Sequence, residues 1–162
     1  AGCVYSADHG QTWRAGALAG GMVNGNETTV AQLPDGRLLF CYRNMNGARC
    51  RMLGLSANGE TLDALWPCEA LPDPMCFGSL AAGEKGVLFA NCASQTARVN
   101  ATVRYSVDAG AHWDTLWQVD AVAGYIDIAY ANRRIYALYE RYFPEKRLVE
   151  EIVLKISEEI AL

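Results

Sequence analysis

The chain has 162 residues, 51 % of them apolar, and a net charge of −4 at pH 7. That is room for one ordinary domain with its own core, and it excludes an intrinsically disordered chain. The lack of any basic run argues against nucleic acid as a partner, and no apolar run approaches the ~20 residues a membrane helix needs.

The N-terminus, AGCVYSADHG, does not read as a signal peptide. It opens in mid-strand, so upstream processing or excision is expected. TTVAQL, a Pro34-Asp35-Gly36 turn and RLLFCYR then form a hairpin, and ARCRMLGLS follows as its third strand. FGSLAA, GVLFAN and ATVRYSVD make a second set of strands. YIDIAYA, RRIYALYERY and EEIVLKIS make a third. The last of these is contested. Leu148, Val149, Ile152, Val153, Ile156 and Ile160 are spaced as on an amphipathic helix. The repeat described next demands a strand over 151–157, and it takes precedence.

Three segments line up along the chain: YSADHGQTW at Tyr5, LSANGETL at Leu55 and YSVDAGAHW at Tyr105. Their serines, Ser6, Ser56 and Ser106, are fifty residues apart each time. The pattern S-x-D-x-G-x-x-W is complete at Ser6, Asp8, Gly10, Trp13 and at Ser106, Asp108, Gly110, Trp113. Around Ser56, Asn58 and Gly59 remain and the Trp is lost. This is turn chemistry. Ser and Asp bond to nearby backbone, Gly admits positive φ, and Trp anchors the turn by burial. The expected role is structural. Each set reads as three strands, the turn and a short fourth strand, and four-stranded units recurring every ~50 residues are propeller blades. The expected fold is all-β: 1–20 a trailing half-blade, then blades over 21–70, 71–120 and 121–162.

No cofactor is implied. The histidines are His9 and His112, and none of the six cysteines forms a CxxC pair, which argues against a zinc site. Cys41 and Cys50 lie opposite each other if NMNG closes a hairpin around Met45–Asn46, and geometry decides whether they bond. The other cysteines read as buried small hydrophobes.

The order of these motifs resembles the exo-α-sialidase (neuraminidase) family of glycoside hydrolases. The S-x-D-x-G-x-x-W turns are similar to that family's Asp boxes, which non-enzymatic propellers also carry. NETTVAQLPDGRLLFCYRN looks like the family's N-E-x-x-V-x-x-L-x-D-G-x-L-L…R segment. LPDP and VLFANCASQTARVNATVRYSVDAGAHW look like its third-arginine segment, AGYIDI like its nucleophile segment, and IYALYE like the strand after it. The resemblance covers nearly all of the chain. It implies the C-terminal half of a six-bladed propeller.

Carried over, the resemblance makes Glu27 the general base and Tyr125 the nucleophile. It makes Arg43 and Arg98 two of three arginines that bind a carboxylate, and Glu140 the acid that buttresses the remaining arginine. The family has a small hydroxyl residue after its nucleophile, whereas Ile126 follows Tyr125, so Tyr130 and Tyr139 compete for that match. The family's first arginine and its acid/base aspartate have no counterpart here. Glu140 is therefore either unpaired or held by Arg141 or Arg134.

Read from the residues alone, Tyr125 is a core aromatic, Glu27 a solvated strand end, and Arg43 and Arg98 surface arginines. The chemistry nevertheless suits the residue types. Sialic acid carries a carboxylate on its anomeric carbon, and guanidinium groups offer planar, bidentate donors to it. That carboxylate would repel an anionic nucleophile, and sialidases use Tyr instead. A phenol with a pKa near 10 needs a base within reach. The implied substrates are sialylated glycans, cleaved with retention, and a second chain supplying the N-terminal half of the ring is an expected partner. Alternatives are a non-catalytic propeller that binds acidic glycans, or an inactive fragment. The sequons at Asn26 and Asn100 read as chance matches, which suits a secreted or periplasmic bacterial protein.

Overall fold

The structure is a computed structural model that describes every residue except Val23, Pro144 and Arg147. Thirteen strands run through the described residues. β1 (Gly2–Tyr5) and β2 (Arg14–Leu18) form a two-stranded sheet. β3 (Gly25–Gln32), β4 (Leu38–Asn44), β5 (Cys50–Ser56) and β6 (Ala64–Pro72) form a four-stranded meander, as do β7 (Ser79–Ala82), β8 (Val87–Cys92), β9 (Val99–Ser106) and β10 (Asp114–Val122). β11 (Ile126–Ala131), β12 (Arg134–Phe143) and β13 (Leu148–Ile156) form a three-stranded sheet. Every pairing is antiparallel. The all-β reading and its four-stranded units therefore hold.

The sheets stack face to face, and the period of two along each strand explains how. In β8, Val87 and Phe89 point into a core shared with Leu39, Cys41, Leu53 and Leu71 of the preceding sheet. The alternate residues Leu88, Ala90 and Cys92 point into a second core with Ile126, Ile135, Ala137 and Tyr139 of the following sheet. β4 divides the same way. Leu39 and Cys41 face β7–β10, while Phe40 and Tyr42 face a third core beside β1–β2. A strand covered on both faces reads as a continuous apolar run, which is why VLFANC and LLFCY show no alternation. Full burial of a side chain such as Phe89 is worth roughly 1.5–3 kcal/mol.

Local chemistry closes the turns. Gly36 adopts φ 89° between β3 and β4, and the Asp35 carboxylate accepts the Arg37 N–H at 3.0 Å. In the Ser106 box, the Gly110 N–H donates to Ser106 Oγ at 2.9 Å, the His112 N–H to Asp108 Oδ1 at 2.9 Å, and Trp113 Nε1 to the Gly110 carbonyl at 3.0 Å. The Ser6 box repeats these bonds. The two tryptophans differ in burial. Trp113 packs edge-on to Phe89, whereas Trp13 is 64 % exposed. Its indole is anchored by a hydrogen bond and not by burial, because no described sheet lies on that side of β1–β2.

Other differences from the sequence reading have physical causes. The fourth strands are not short: β6 and β10 have nine residues each. All six cysteines are free. Residues 45–49 form a wider loop than a two-residue turn, so Cys41 pairs across from Leu53 and Cys50 from Pro72. The contested C-terminal segment is strand β13, registered on β12 as Tyr139↔Val153. As a helix it would leave the β12 edge unpaired, and its β-branched residues favour a pleated strand. The helical spacing misleads because Ile152, Leu154 and Ile156 stay exposed together with Leu138 on the outer sheet face.

The inner strands lie side by side, β7 next to both β3 and β11. The Leu80 N–H donates to Thr29 Oγ1 at 3.1 Å, and the Ser79 hydroxyl donates to the Asp127 carboxylate. This brings the N-terminal ends of β3 and β11 together.

Candidate active site

Glu27 lies where the β3–β4 register slips between Gly25 and Thr28. Such a bulge turns a side chain away from its regular direction. The Asn26 side chain fixes it by accepting the Glu27 N–H at 2.8 Å. Arg43, near the end of β4, then donates from Nη1 to Glu27 Oε2 at 2.6 Å.

Tyr125 enters from the turn before β11. Its hydroxyl donates to Glu27 Oε1 at 2.5 Å and accepts from Arg43 Nη1 at 3.0 Å. One guanidinium nitrogen thus touches both the carboxylate and the phenol. The competing tyrosines lie elsewhere. Tyr130 donates to the Ile160 carbonyl and Tyr139 to the Asp120 carboxylate.

Burial pushes the Glu27 carboxyl up, but the hydrogen bonds from Tyr125 and Arg43 and the Arg43 and Arg51 charges outweigh it and hold the carboxyl below its usual range. The Tyr125 phenol is pushed up, first by its bond to the Glu27 carboxylate and then by burial, against the pull of Arg43. The resting site is therefore an ionised carboxylate accepting from a neutral phenol.

Glu140, on β12, reaches neither arginine expected of it. Arg134 pairs with Glu159, and Arg141 with Glu151 and Asp120. Glu140 Oε2 instead accepts the Tyr125 backbone N–H at 3.0 Å, and the Glu140 N–H donates to the Tyr125 carbonyl at 2.9 Å. Gly124 makes this possible, because a Cβ there would lie 2.6 Å from Glu140 Oε2.

Arg98 precedes β9 and carries its guanidinium carbon 5.4 Å over the Tyr125 ring. Three further residues complete the site without any motif to mark them. Phe77, ahead of β7, packs on Tyr125 with ring centroids 5.5 Å apart. The Arg98 guanidinium carbon also lies 5.2 Å over the Tyr142 ring. Arg51 is wholly buried and donates to Asp73 at 3.3 Å and to the Cys76 carbonyl at 2.7 Å, fixing the backbone beside Phe77. An aromatic ahead of a strand or an arginine within one ordinarily reads as core or surface, so only three-dimensional proximity identifies them.

Four-stranded sheets stacked face to face, joined by Asp-box turns, with polar side chains converging where the inner strands meet, define an Asp-box β-propeller. The BNR repeat-like domain model matches residues 1–135, and the chain belongs to that family. A sialidase from Micromonospora viridifaciens is 36 % identical over 121 residues, covering 68 % of this chain and 18 % of that protein. An exo-alpha-sialidase from Aspergillus fumigatus is 36 % identical over 107 residues, covering 62 % of this chain and 25 % of that protein. The chain thus spans a quarter or less of these relatives. Among solved structures, a mutant of the NanB sialidase from Streptococcus pneumoniae superposes with a TM-score of 0.77 at 18 % identity, covering 96 % of this chain and 27 % of the other. The fold is that of the sialidase propellers, its 13 strands making about three blades.

Proposed function

We propose that this chain carries part of the active site of an exo-α-sialidase, a retaining glycoside hydrolase of terminal α-linked sialic acid. The observation that carries the reading is the contact of Tyr125 with Glu27 at 2.5 Å, bridged by Arg43. A phenol becomes a nucleophile only with a base in hydrogen-bond reach, and this one has it.

In the proposed reaction the Tyr125 proton passes to Glu27 Oε1. The phenolic oxygen forms a bond to the anomeric carbon as the bond to the leaving oxygen breaks. Water then attacks from the face that lost the aglycone, giving its proton to the acid that had protonated the leaving group, and Tyr125 departs as it takes its proton back from Glu27, so configuration is retained. Arg43 and Arg98 bind the substrate carboxylate. Arg43 has a second part in this scheme. While it sits on Glu27 it weakens that base; as a substrate carboxylate draws it away, Glu27 becomes the better proton acceptor.

On this reading the acid that protonates the leaving group and a third arginine come from polypeptide outside residues 1–162. Two surfaces support that. Leu138, Ile152 and Leu154 are exposed on the β11–β13 face, and Val4 and Leu18 on β1–β2 at the other end. Both suit a further blade, supplied by a second chain or by the rest of a longer one.

The test is turnover of an aryl sialoside. The isolated chain should show little or none, and turnover near that of an intact sialidase would overturn the reading. Once the rest of the propeller is supplied, Tyr125→Phe and Glu27→Ala separate the enzyme from an acidic-glycan binder, because an enzyme loses turnover while a binder keeps its whole function.

A further inference from the structure

Arg98 is held differently from the arginines that lie against carboxylates. Arg37, Arg43, Arg51, Arg134 and Arg141 each lie against a carboxylate. Among the described residues Arg98 has no such partner. Its guanidinium carbon sits 5.4 Å over the Tyr125 ring and 5.2 Å over the Tyr142 ring.

Tyr142 reaches this position through the backbone of β12. It follows Glu140 by two residues and shares its face of the strand. A Cβ built on Gly124 would lie 2.9 Å from Glu140 Cβ and 3.1 Å from Tyr142 Cβ, so both stand against the same turn. Beside it the β12–β13 register slips between Arg141 and Tyr142, with Glu150 of β13 as the extra residue. Arg98 comes from a loop shaped by Ser94 Oγ, which accepts the Thr96 and Ala97 N–H groups at 3.2 Å each.

We propose that Tyr142 is a positioning residue for Arg98: with the Tyr125 ring it holds the guanidinium over the site while leaving its N–H donors for the carboxylate of an anionic ligand. This rests on the reading of Arg98 as a carboxylate-binding residue. The physical reason is that aromatic rings attract a guanidinium through its charge without consuming its donors. An arginine held by a protein carboxylate must first break that pair to bind a ligand. One held against two rings is oriented and unspent. Tyr142 touches neither the phenolic oxygen nor Glu27, so it acts through Arg98 alone.

Two measurements test this on the isolated chain. The first needs no ligand. Side-chain NMR of Arg98 should show upfield ring-current shifts of its δ and ε protons that persist in Tyr142→Phe and diminish in Tyr142→Leu, which keeps apolar bulk on the strand. Shifts unchanged in Tyr142→Leu overturn the proposal. The second is titration with N-acetylneuraminate at low salt. Tyr142→Phe should bind as the parent does, and Tyr142→Leu about tenfold more weakly at an unchanged unfolding midpoint. Equal binding by parent and Tyr142→Leu overturns the role of Tyr142 alone. No binding by the parent overturns both the carboxylate role and the sialidase reading.

Discussion

The phenolic oxygen of Tyr125 and the carboxylate of Glu27 are 2.5 Å apart although 98 residues separate them in the chain. The contact joins the first strand of one sheet to the turn before the first strand of another, with the β7–β10 sheet between them in sequence. It exists because those sheets stack so that β3, β7 and β11 adjoin. The proton on that contact belongs to Tyr125 at neutral pH, since Glu27 is held below its usual range and Tyr125 above.

Replacing Glu27 by Gln should therefore lower the pH at which Tyr125 ionises. The largest influence raising the phenol is the Glu27 carboxylate, and removing its charge leaves the Arg43 guanidinium to favour phenolate. Ultraviolet difference titration of Glu27→Gln against the parent, with Tyr125→Phe identifying the transition, measures it. An unchanged or higher ionisation pH would contradict the account.

Gly124→Ala should destabilise the fold by about 1–3 kcal/mol, the usual cost of forcing extra atoms into packed space. The new Cβ would meet Glu140 Oε2 at 2.6 Å and Glu140 Cβ at 2.9 Å. The same substitution displaces the Tyr125 backbone from Glu140. Urea unfolding checks the first effect, and loss of the perturbed Tyr125 titration checks the second.

The legibility of these features in the sequence followed the range of the interactions. The Ser6 and Ser106 boxes were readable because each is closed by residues within four positions of Asp8 or Asp108. The Glu27–Arg43 pair was readable because one short turn sets the hairpin. Features that depend on distant neighbours were not. The exposure of Trp13, the long fourth strands and the separation of Cys41 from Cys50 follow from how sheets pack and loops widen. Glu140 meets the Tyr125 backbone because Arg141, next to it on β12, points to the other face and Arg134 lies six residues back along the strand. In β13 a helical spacing was overruled by the need of β12 for a partner. The contacts of Arg98 with Tyr125 and Tyr142 join a loop, a turn and a strand, and no local pattern encodes them.

Arg51→Met should cost about 3–5 kcal/mol, because it leaves the buried Asp73 carboxylate without its cation. Adding Asp73→Asn should recover part of that loss by removing the stranded charge. Unfolding midpoints of the single and double variants measure both. A double variant less stable than Arg51→Met would contradict the buried-pair account.

Acid should weaken the β10–β12–β13 junction. Burial pushes the Asp120 carboxyl up, but bonds from the Tyr139 hydroxyl, the Val122 N–H and Lys155 prevail and hold it at about 2. A depressed carboxyl stabilises the fold fully above its ordinary value of about 3.9, and that stabilisation disappears as pH falls toward 2. Asp120→Asn should therefore be less stable than the parent at neutral pH, and the gap should close between about pH 4 and pH 2. A gap that is constant with pH would contradict this.

The most direct test of the central claim is covalent trapping of Tyr125. A sialosyl fluoride carrying a second fluorine at C3 suits this chain, because fluoride departs without a protein acid and the C3 fluorine slows breakdown of the adduct. Phenolic oxygen bonds to the anomeric carbon, fluoride leaves, and the proton goes to Glu27. Peptide mass spectrometry after incubation should find one sialosyl adduct on the peptide containing Tyr125, absent from Tyr125→Phe and slowed in Glu27→Gln. No adduct, or an adduct that survives Tyr125→Phe, would contradict the account.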